Sequence, residues 1–331
     1  MICSVSPLRM SFVGGGSDIP EFYSKNSGCV VSTSINKSIY ILIKSRFEEG
    51  IRLSYSKTEN ASNYKEIEHM LVRSALGWYD FKHNLEIVSM ADIPSSGTGL
   101  GSSSSFSVAL INGLNTYYKI PKSLEELAES ACKLEIEECS QPIGKQDQYA
   151  ATYGGLRIYE FHKDGKVSNR KLKSSDSFKK TFDSQIMMFY LGSGRSASNI
   201  LKKQIENLKF NDKEKSLIHM VNLSYEFANA YEAEDINELS KILNENWHEK
   251  KKLQSGISSS QIDDIYSFAI KHGALSGKLL GAGGGGFLMF FVPKNKQEHL
   301  KNALSKLRYF EIKPSDLGAR IINMENIKYG E

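Results

Sequence analysis

Residues 94–105 read Pro-Ser-Ser-Gly-Thr-Gly-Leu-Gly-Ser-Ser-Ser-Ser, and they predict more about the fold than any other stretch of this chain. Gly97, Gly99 and Gly101 allow the backbone to turn tightly and to approach a ligand closely. The serines lead directly into the apolar run 106–111, which is typical of a buried helix. A flexible serine and glycine linker is the alternative, but a linker does not continue into a buried helix.

The start of this predicted helix indicates a site for phosphate. The first amide groups of a helix have no partner within it, and the helix dipole adds partial positive charge at the same end. Together these features bind phosphate groups. Serine hydroxyls there add hydrogen bonds or reach a magnesium ion that accompanies the phosphate. We call residues 97–104 the glycine loop.

Composition excludes several classes of protein. The chain of 331 residues has a net charge of +4, which is too small to indicate binding to nucleic acid or to an anionic membrane. Its longest apolar run, residues 287–292, is far shorter than the ~20 residues of a membrane span. The four cysteines are scattered without a CxxC pair, which indicates free thiols in a reducing cytoplasm.

The order of predicted elements indicates an α+β fold rather than a doubly wound parallel sheet. We predict strands over residues 12–13, 28–32, 38–44, 51–54, 85–89 and 154–161. We predict helices over residues 64–79, 102–118 and 124–139, a mostly helical region up to about residue 272, a hairpin over 277–292 and a helix near 294–307. The polar lysine and serine stretch 166–180 indicates a boundary between two domains, residues 1–175 and 176–331.

Two acidic residues stand out against this background. On the helix predicted over 124–139, Glu135 falls in the middle of the apolar face and Glu138 near its edge. A carboxylate that faces a core usually meets a cation or hydrogen-bond donors, so a salt bridge and a functional role are both open. Asp147 lies in the loop 144–148, Gly-Lys-Gln-Asp-Gln. It is a candidate base or metal ligand, or an ordinary turn aspartate.

Three further glycine segments carry information. Residues 7–18 place Arg9 and Asp18 on either side of a strand that ends in three glycines. Residues 281–286 formally match GxGxxG, but a strand-like segment follows them instead of a helix, which excludes a dinucleotide-binding unit. Residues 191–198 form a glycine and serine turn with Arg195, which predicts either an anion site or an ordinary helix start. The chain contains no HRD or DFG triplet, which excludes a protein kinase.

Taken in order, the segments 7–18, 94–105 and 278–287 resemble the three motifs of the GHMP kinase superfamily. The resemblance implies a two-lobed α+β fold with an N-terminal mixed β/α lobe, a C-terminal ferredoxin-like lobe and an active site between them. Residues 8–23 and 144–149 look like the sugar 1-kinases that act on D-glycero-D-manno-heptose 7-phosphate. Galactokinases carry Glu-His where this chain has Gly15 and Gly16, so the resemblance implies room for a bulkier sugar.

The resemblance also implies the roles of individual residues. It implies ATP and Mg²⁺ as cofactors, with ATP bound by Gly97, Gly99, Leu100, Gly101, Ser102, Ser103 and Ser104. It implies Ser103 and Glu135 as magnesium ligands, leaves open whether Glu138 shares the cation, and implies Asp147 and Arg9 as the catalytic pair. It implies contacts with the sugar phosphate from Asp18, Gly283 and Gly284, beside the room left by Gly15 and Gly16. The turn 191–198 makes Arg195 a candidate for binding the substrate phosphate, with an exposed arginine at an ordinary helix start as the alternative.

The resulting expectation is a cytoplasmic enzyme that phosphorylates the anomeric hydroxyl of a sugar phosphate, for the synthesis of a nucleotide-activated heptose. Its partners would be small molecules, without nucleic acid or membrane, and a homodimer is allowed. The alternatives are a kinase of the L-fucose type, a non-catalytic sensor of sugar and ATP with the same fold, and a small-molecule decarboxylase of the same superfamily. The first motif, which looks sugar-specific, disfavours the decarboxylase.

Overall fold

The computed structural model describes residues 1–79, 84–94, 97–192 and 197–322. Its strands are β1 (Ile2–Val13), β2 (Gly28–Ser45), β3 (Ile51–Ser54), β4 (Thr58–Ala61), β5 (Leu85–Ala91), β6 (Leu156–Phe161), β7 (Val167–Lys171), β8 (Ile186–Tyr190), β9 (Ser276–Leu279), β10 (Phe287–Phe291), β11 (Arg308–Phe310), β12 (Pro314–Ser315) and β13 (Arg320–Ile322). Its helices are α1 (Pro20–Asn26), α2 (Met70–Leu76), α3 (Ser102–Tyr117), α4 (Leu124–Cys132), α5 (Gln146–Tyr153), α6 (Asp176–Ser184), α7 (Ala197–Asn207), α8 (Asn211–Glu232), α9 (Ile236–Leu253), α10 (Ser260–Lys271) and α11 (Gln297–Ala303). In the described part of the chain, no helix has the length and apolar character that a membrane span requires.

The first sheet is built around two long antiparallel strands. β1 lies between β2 and β13, and the order continues from β2 through β5 and β3 to β4. The register of β1 against β2 shifts between Pro7 and Arg9 and again between Ser11 and Val13. Such irregularities change the direction of a side chain relative to a regular strand. Arg9 therefore lies in a short segment of β1 between two irregularities.

The second sheet has the topology that the resemblance implies for the C-terminal lobe. Its four antiparallel strands lie in the order β11, β8, β10 and β9. When these four strands are numbered along the chain, their order in the sheet is 4-1-3-2. Helices connect β8 to β9 and β10 to β11. This is the ferredoxin-like arrangement. The predicted α+β fold class is confirmed.

An aromatic cluster joins the two sheets. The Phe12 ring, near the end of β1, stacks on Phe227 of α8 with the ring centroids 5.3 Å apart. It also packs against Phe182 of α6 at 5.5 Å and against Phe291 of β10 at 6.0 Å. All four side chains are at most 1% exposed. Because Phe12 lies two residues before Gly14, this packing holds the glycines that follow β1 against the second sheet.

The predicted strands have the right positions, but the first three are too short. The strand predicted at 12–13 is the end of β1, and those at 28–32 and 38–44 are parts of β2. β1 is buried on both faces, with Ser4 and Ser6 fully covered. A strand buried on both faces lacks the polar and apolar alternation by which a half-buried strand is found in sequence.

The helix predicted over 64–79 is wrong as a continuous element. The chain forms a 3₁₀ turn at Tyr64–Glu66, becomes extended at Ile67 (φ −64°, ψ 125°) and starts α2 only at Met70. Ile67 is fully buried. The extended backbone at Ile67 interrupts the helix, and burial of this side chain in the core outweighs the helical periodicity of the sequence.

The lysine and serine stretch 166–180 contains regular structure. β7 lies within it and pairs with β6, and α6 begins near its end. The domain boundary at residue 175 falls between β7 and α6 and stays a prediction.

Candidate active site

The glycine loop adopts a conformation that glycine alone accommodates easily. Gly97, Gly99 and Gly101 have φ values of 72°, 75° and 73°. A Cβ atom on Gly99 would lie 2.3 Å from the carbonyl oxygen of Leu280, so no side chain fits there. Gly101 is the N-cap of α3, and no side chain of the described residues caps this helix start. The first amide groups of α3 are therefore left without a capping side chain, as an anion site requires.

Arg9 and Asp147 form a bidentate ion pair directly beside this loop. The Arg9 Nε and Nη2 atoms donate to the two carboxylate oxygens of Asp147, both at 2.7 Å. The third donor, Nη1, bonds to the carbonyl oxygen of Gly99 at 2.6 Å. Arg9 is 4% exposed, whereas the Asp147 side chain remains 24% exposed. The guanidinium is thus fixed between the loop and a carboxylate that a substrate can still reach.

Lys145, next to Asp147 in sequence, does not contribute its charge to this pair. Its Nζ atom donates to both oxygens of Glu129 at 3.0 Å and to the carbonyl oxygen of Gly165 at 2.8 Å. Its neighbour Gln146 does take part, because its Nε2 atom donates to Asp147 Oδ1 at 3.0 Å and its Oε1 atom accepts from Ser11 Oγ at 2.6 Å. Gln146 therefore connects β1 to Asp147.

Ser103 and Glu135, predicted from the resemblance as metal ligands, are in contact. Ser103 Oγ donates to Glu135 Oε1 at 2.5 Å, and Gln148 Nε2 donates to Glu135 Oε2 at 2.7 Å. Glu135 is fully buried. Burial raises its pKa to about 7, although hydrogen bonds from Ser103, Ser104 and Gln148 oppose the shift.

These residues fit a magnesium ion on the evidence of their donor atoms. Carboxylate and hydroxyl oxygens are ligands that Mg²⁺ prefers, usually together with substrate phosphates. The Gln148 Oε1 atom beside them is buried and has no hydrogen-bond partner in the described structure. No lysine, arginine or histidine of the described residues forms an ion pair with Glu135. A buried carboxylate and an unpartnered acceptor oxygen are together suited to a cation.

Glu138 lies apart from the buried Glu135, and whether it shares a cation stays open. The segment Lys133–Glu138 is a π-helix rather than a continuation of α4, so the helix predicted over 124–139 changes its type at Lys133. The wider turn moves residues three positions apart further from one another around the axis than in an α-helix. Glu135 faces inward and Glu138 is exposed, which corrects the placement of Glu138 near the inward face.

Asp18 is held by backbone groups at the same end of β1. The amides of Gly16 and Gln146 donate to its Oδ1 and Oδ2 atoms at 3.0 and 3.1 Å. A Cβ atom on Gly144 would lie 2.1 Å from Oδ2, so only glycine fits beside this carboxylate. Burial raises the pKa of Asp18, and the charge of Asp147 adds to the shift. Its contact with sugar hydroxyls stays a prediction.

The space beside Gly15 and Gly16 differs between the two positions. At Gly15 the nearest atom to an added Cβ would be Ser11 Oγ at 3.6 Å, so the site is open. At Gly16 an added Cβ would lie 2.3 Å from Gln204 Nε2. The room expected at both glycines is therefore present only at Gly15, because Gln204 fills the other position.

The glycine segment 281–286 packs on the glycine loop. An added Cβ on Gly281 would lie 2.5 Å from the Cα of Gly99. Gly283 packs against Ile257, and the amide of Gly284 donates to the Ile257 carbonyl oxygen at 3.0 Å. The substrate contact of Gly283 and Gly284 stays a prediction, and the Gly284 amide is already engaged. Arg195 lies outside the described residues.

Comparison with known proteins agrees with this geometry. Residues 64–155 match the GHMP kinases N terminal domain, and residues 227–309 match the GHMP kinases C terminal region. The chain is 30% identical over 316 residues to the D-glycero-alpha-D-manno-heptose 7-phosphate kinase of Campylobacter jejuni, covering 91% of this chain and 92% of that protein. The chain belongs to the GHMP kinase family. GHMP kinases use ATP, so it is an ATP-dependent kinase.

Solved structures of GHMP kinases share the fold at low sequence identity. A D-glycero-D-manno-heptose 1-phosphate kinase from Bacteroides thetaiotaomicron superposes with a TM-score of 0.79 at 22% identity, covering 98% of this chain and 99% of that one. The galactokinase of Lactococcus lactis in complex with galactose gives a TM-score of 0.76 at 17% identity, covering 96% and 94%. These likenesses establish that the kinase has the GHMP fold.

Sequence reasoning missed several polar residues that line this part of the kinase. Ser11, Gln146 and Gln148 lie inside motifs that were recognised, but nothing in their spacing indicated a contact with Asp147 or Glu135. The signal that could have found the two glutamines is their position on either side of Asp147 in a loop built by Gly144. Gln204, on a separate helix, had no signal of this kind.

Replacing Arg9 with lysine should lower kcat/KM of the kinase about tenfold. Lysine keeps the charge but cannot donate in parallel to both oxygens of Asp147 while also bonding to the Gly99 carbonyl oxygen. Steady-state kinetics at several ATP concentrations measure the loss. Arg46→Lys is the matched control, because Arg46 pairs with the exposed Glu48. Equal kinetics of the two variants would contradict a role for the planar guanidinium.

Proposed function

We propose that this chain transfers the γ-phosphoryl group of ATP to the anomeric C1 hydroxyl of D-glycero-α-D-manno-heptose 7-phosphate. The products would be the 1,7-bisphosphate and ADP, in the synthesis of a nucleotide-activated heptose for surface polysaccharide. The observation that carries the proposal is the Arg9–Asp147 pair held beside the glycine loop. The similarity to the Campylobacter jejuni kinase over nine-tenths of both chains supports the choice of substrate.

The arrangement supplies what phosphoryl transfer needs. Transfer depends mainly on positioning and on neutralising charge, with little covalent help from the protein. We propose that amides of the glycine loop bind the ATP phosphates and that Arg9 stabilises the charge that develops beside them. Asp147 would orient the C1 hydroxyl and accept its proton as the O1–P bond forms and the bond to ADP breaks. Ser103 and Glu135 would hold Mg²⁺, which when bound neutralises phosphate charge.

The proposal is tested by measuring ADP release with a panel of sugars. Heptose 7-phosphate should give a kcat/KM at least about tenfold above those of L-fucose, galactose and mannose. Analysis of the product by ³¹P NMR should locate the new phosphate on C1. A preference for L-fucose would favour the second kind of sugar kinase. Tight ATP binding without ADP release for any sugar would favour a non-catalytic sensor.

A further inference from the structure

A cluster of buried polar side chains packs against residues 14–16 from the helical side of the second lobe. It consists of Gln204 on α7 and of Asn246 and Lys250 on α9, which are 1%, 0% and 7% exposed. Asn246 and Lys250 are four residues apart and so lie on one face of α9. None of the three belongs to the motifs that indicated a kinase.

In this cluster both side-chain amide oxygens accept hydrogen bonds, whereas both side-chain amide nitrogens lack a partner in the described structure. The Asn246 Oδ1 atom accepts from the amide of Gly14 at 3.0 Å, and Lys250 Nζ donates to the Gly15 carbonyl oxygen at 2.8 Å. Lys250 also donates to Gln204 Oε1 at 3.4 Å. The amide nitrogens Gln204 Nε2 and Asn246 Nδ2 are buried and have no acceptor in the described structure. A buried donor without a partner is costly, so the cluster is suited to a ligand rich in acceptor oxygens.

The charge of the cluster indicates that this ligand is an anion. No carboxylate of the described residues forms an ion pair with Lys250 or with Lys278, whose buried Nζ donates to the Phe12 carbonyl oxygen at 2.8 Å. Burial lowers the pKa of Lys250 to about 8, with the charge of Asp18 opposing the shift, and burial also lowers the pKa of Lys278 well below its usual range. Lys250 and Lys278 lie near enough for their charges to interact, and neither has a paired carboxylate among the described residues, so a bound dianion would stabilise the charged form of both.

We propose that Lys250, Gln204 and Asn246 bind the phosphate monoester of the sugar substrate. This inference rests on the proposed function, and it gives the substrate phosphate a site distinct from the glycine loop, which takes the phosphates of ATP. Gly15 provides the approach, because it is partly exposed and has open space where a side chain would be. The cluster would then select phosphorylated over free sugars.

The first test measures binding without turnover. The full chain is saturated with Mg²⁺ and a non-hydrolysable ATP analogue, which occupies the glycine loop, and the melting temperature is followed as inorganic phosphate is added. Lys250→Met should weaken the apparent phosphate affinity about tenfold or more, and Lys250→Arg should restore most of it. The control Lys252→Met removes an exposed lysine two positions away and should not change the affinity. A phosphate response of Lys250→Met equal to that of the wild type would overturn the proposal.

The second test separates binding of the substrate phosphate from support of the loop. In Lys250→Met the KM for heptose 7-phosphate should rise at least about tenfold, with the KM for ATP and kcat/KM for unphosphorylated heptose within about twofold of the wild type. Equal losses for ATP and for both sugars would show that Lys250 only supports the loop. Gln204→Glu places a carboxylate beside Lys250 in nearly the same volume, and it should give the same selective loss. This variant replaces Lys250→Met in the test if Lys250→Met does not fold.

The outcomes distinguish this inference from the proposed function. A wild-type enzyme that does not phosphorylate heptose 7-phosphate would contradict the proposed function, and the phosphate titration would still test the cluster. Normal turnover of heptose 7-phosphate by both Lys250→Met and Gln204→Glu would contradict the binding of the substrate phosphate by the cluster, and it would leave the proposed function intact. A selective rise in KM for the phosphorylated sugar in Arg195→Ala, without one in the cluster variants, would also overturn it.

Discussion

Replacing Asp147 with asparagine should lower kcat about 100-fold or more while ATP binding stays nearly intact. Asparagine has almost the same volume and keeps one acceptor oxygen, so the glycine loop and the start of α5 should remain in place. It cannot take the proton of the sugar hydroxyl, and it leaves the buried Arg9 without its charged partner. Single-turnover kinetics measure the chemical step, and calorimetric titration with an ATP analogue measures binding.

The control for this variant is Asp164→Asn. Asp164 is exposed, and its Oδ1 atom accepts from the amide of Lys166 at 3.0 Å in a turn. The Asp164→Asn variant should leave kcat unchanged. Because breaking the ion pair with Arg9 also affects stability, the melting temperatures of both variants should be measured together with their kinetics. Near-normal turnover of Asp147→Asn would remove Asp147 from the mechanism, whereas a loss of ATP binding equal to the loss of kcat would assign it a role in loop structure.

The glycine loop shows why part of the site could be predicted from the sequence. A local pattern sufficed, because alternate glycines, which permit positive φ, directly before a buried helix are compatible with few structures. The contact of Ser103 with Glu135 spans 32 positions, and it was predicted only through the resemblance. The helical-face argument also selected Glu135, although the residue lies in a π-helix that no periodicity indicated.

The cluster around Lys250 shows what could not be predicted. Lys250 reaches the Gly15 carbonyl oxygen across 235 positions, and Gln204 occupies the space that the missing side chain of Gly16 leaves. Neither contact follows from local spacing, since both depend on how α7 and α9 pack against the end of β1. A lysine and a glutamine on amphipathic helices look like ordinary surface residues in sequence. Only their burial distinguishes them.

Replacing Glu135 with glutamine should have opposite effects on activity and on stability. Glutamine keeps the shape and one acceptor oxygen but cannot supply a charged ligand, so kcat at fixed Mg²⁺ should fall on the order of 100-fold. The stability effect follows from the buried carboxyl group. Because its pKa is raised from 4.5 to about 7, the folded state retains a proton that the unfolded state has lost between these values.

The metal-free enzyme should therefore lose stability as the pH rises from about 4.5 to 7, by roughly 3 kcal/mol from this group. Above pH 7 the ionised carboxylate remains a cost until a cation binds. Urea unfolding at several pH values, with EDTA and without nucleotide, should show this decline in the wild type and a flatter profile in Glu135→Gln. Glu138→Gln, three positions further along and exposed, is the matched control and should keep the wild-type profile and Mg²⁺ dependence.

Addition of Mg²⁺ with ADP should restore stability to the wild type at pH 8 more than to Glu135→Gln, because only the wild type offers the cation a buried carboxylate. This comparison separates a metal ligand from a glutamate that is merely buried. If both proteins gain equally from Mg²⁺ and ADP while Glu135→Gln still flattens the pH profile, Glu135 is a strained core residue and the cation is held by other groups. If the pH profiles also coincide, the carboxyl group is ionised at no cost in the folded enzyme, and its partners must include a cation.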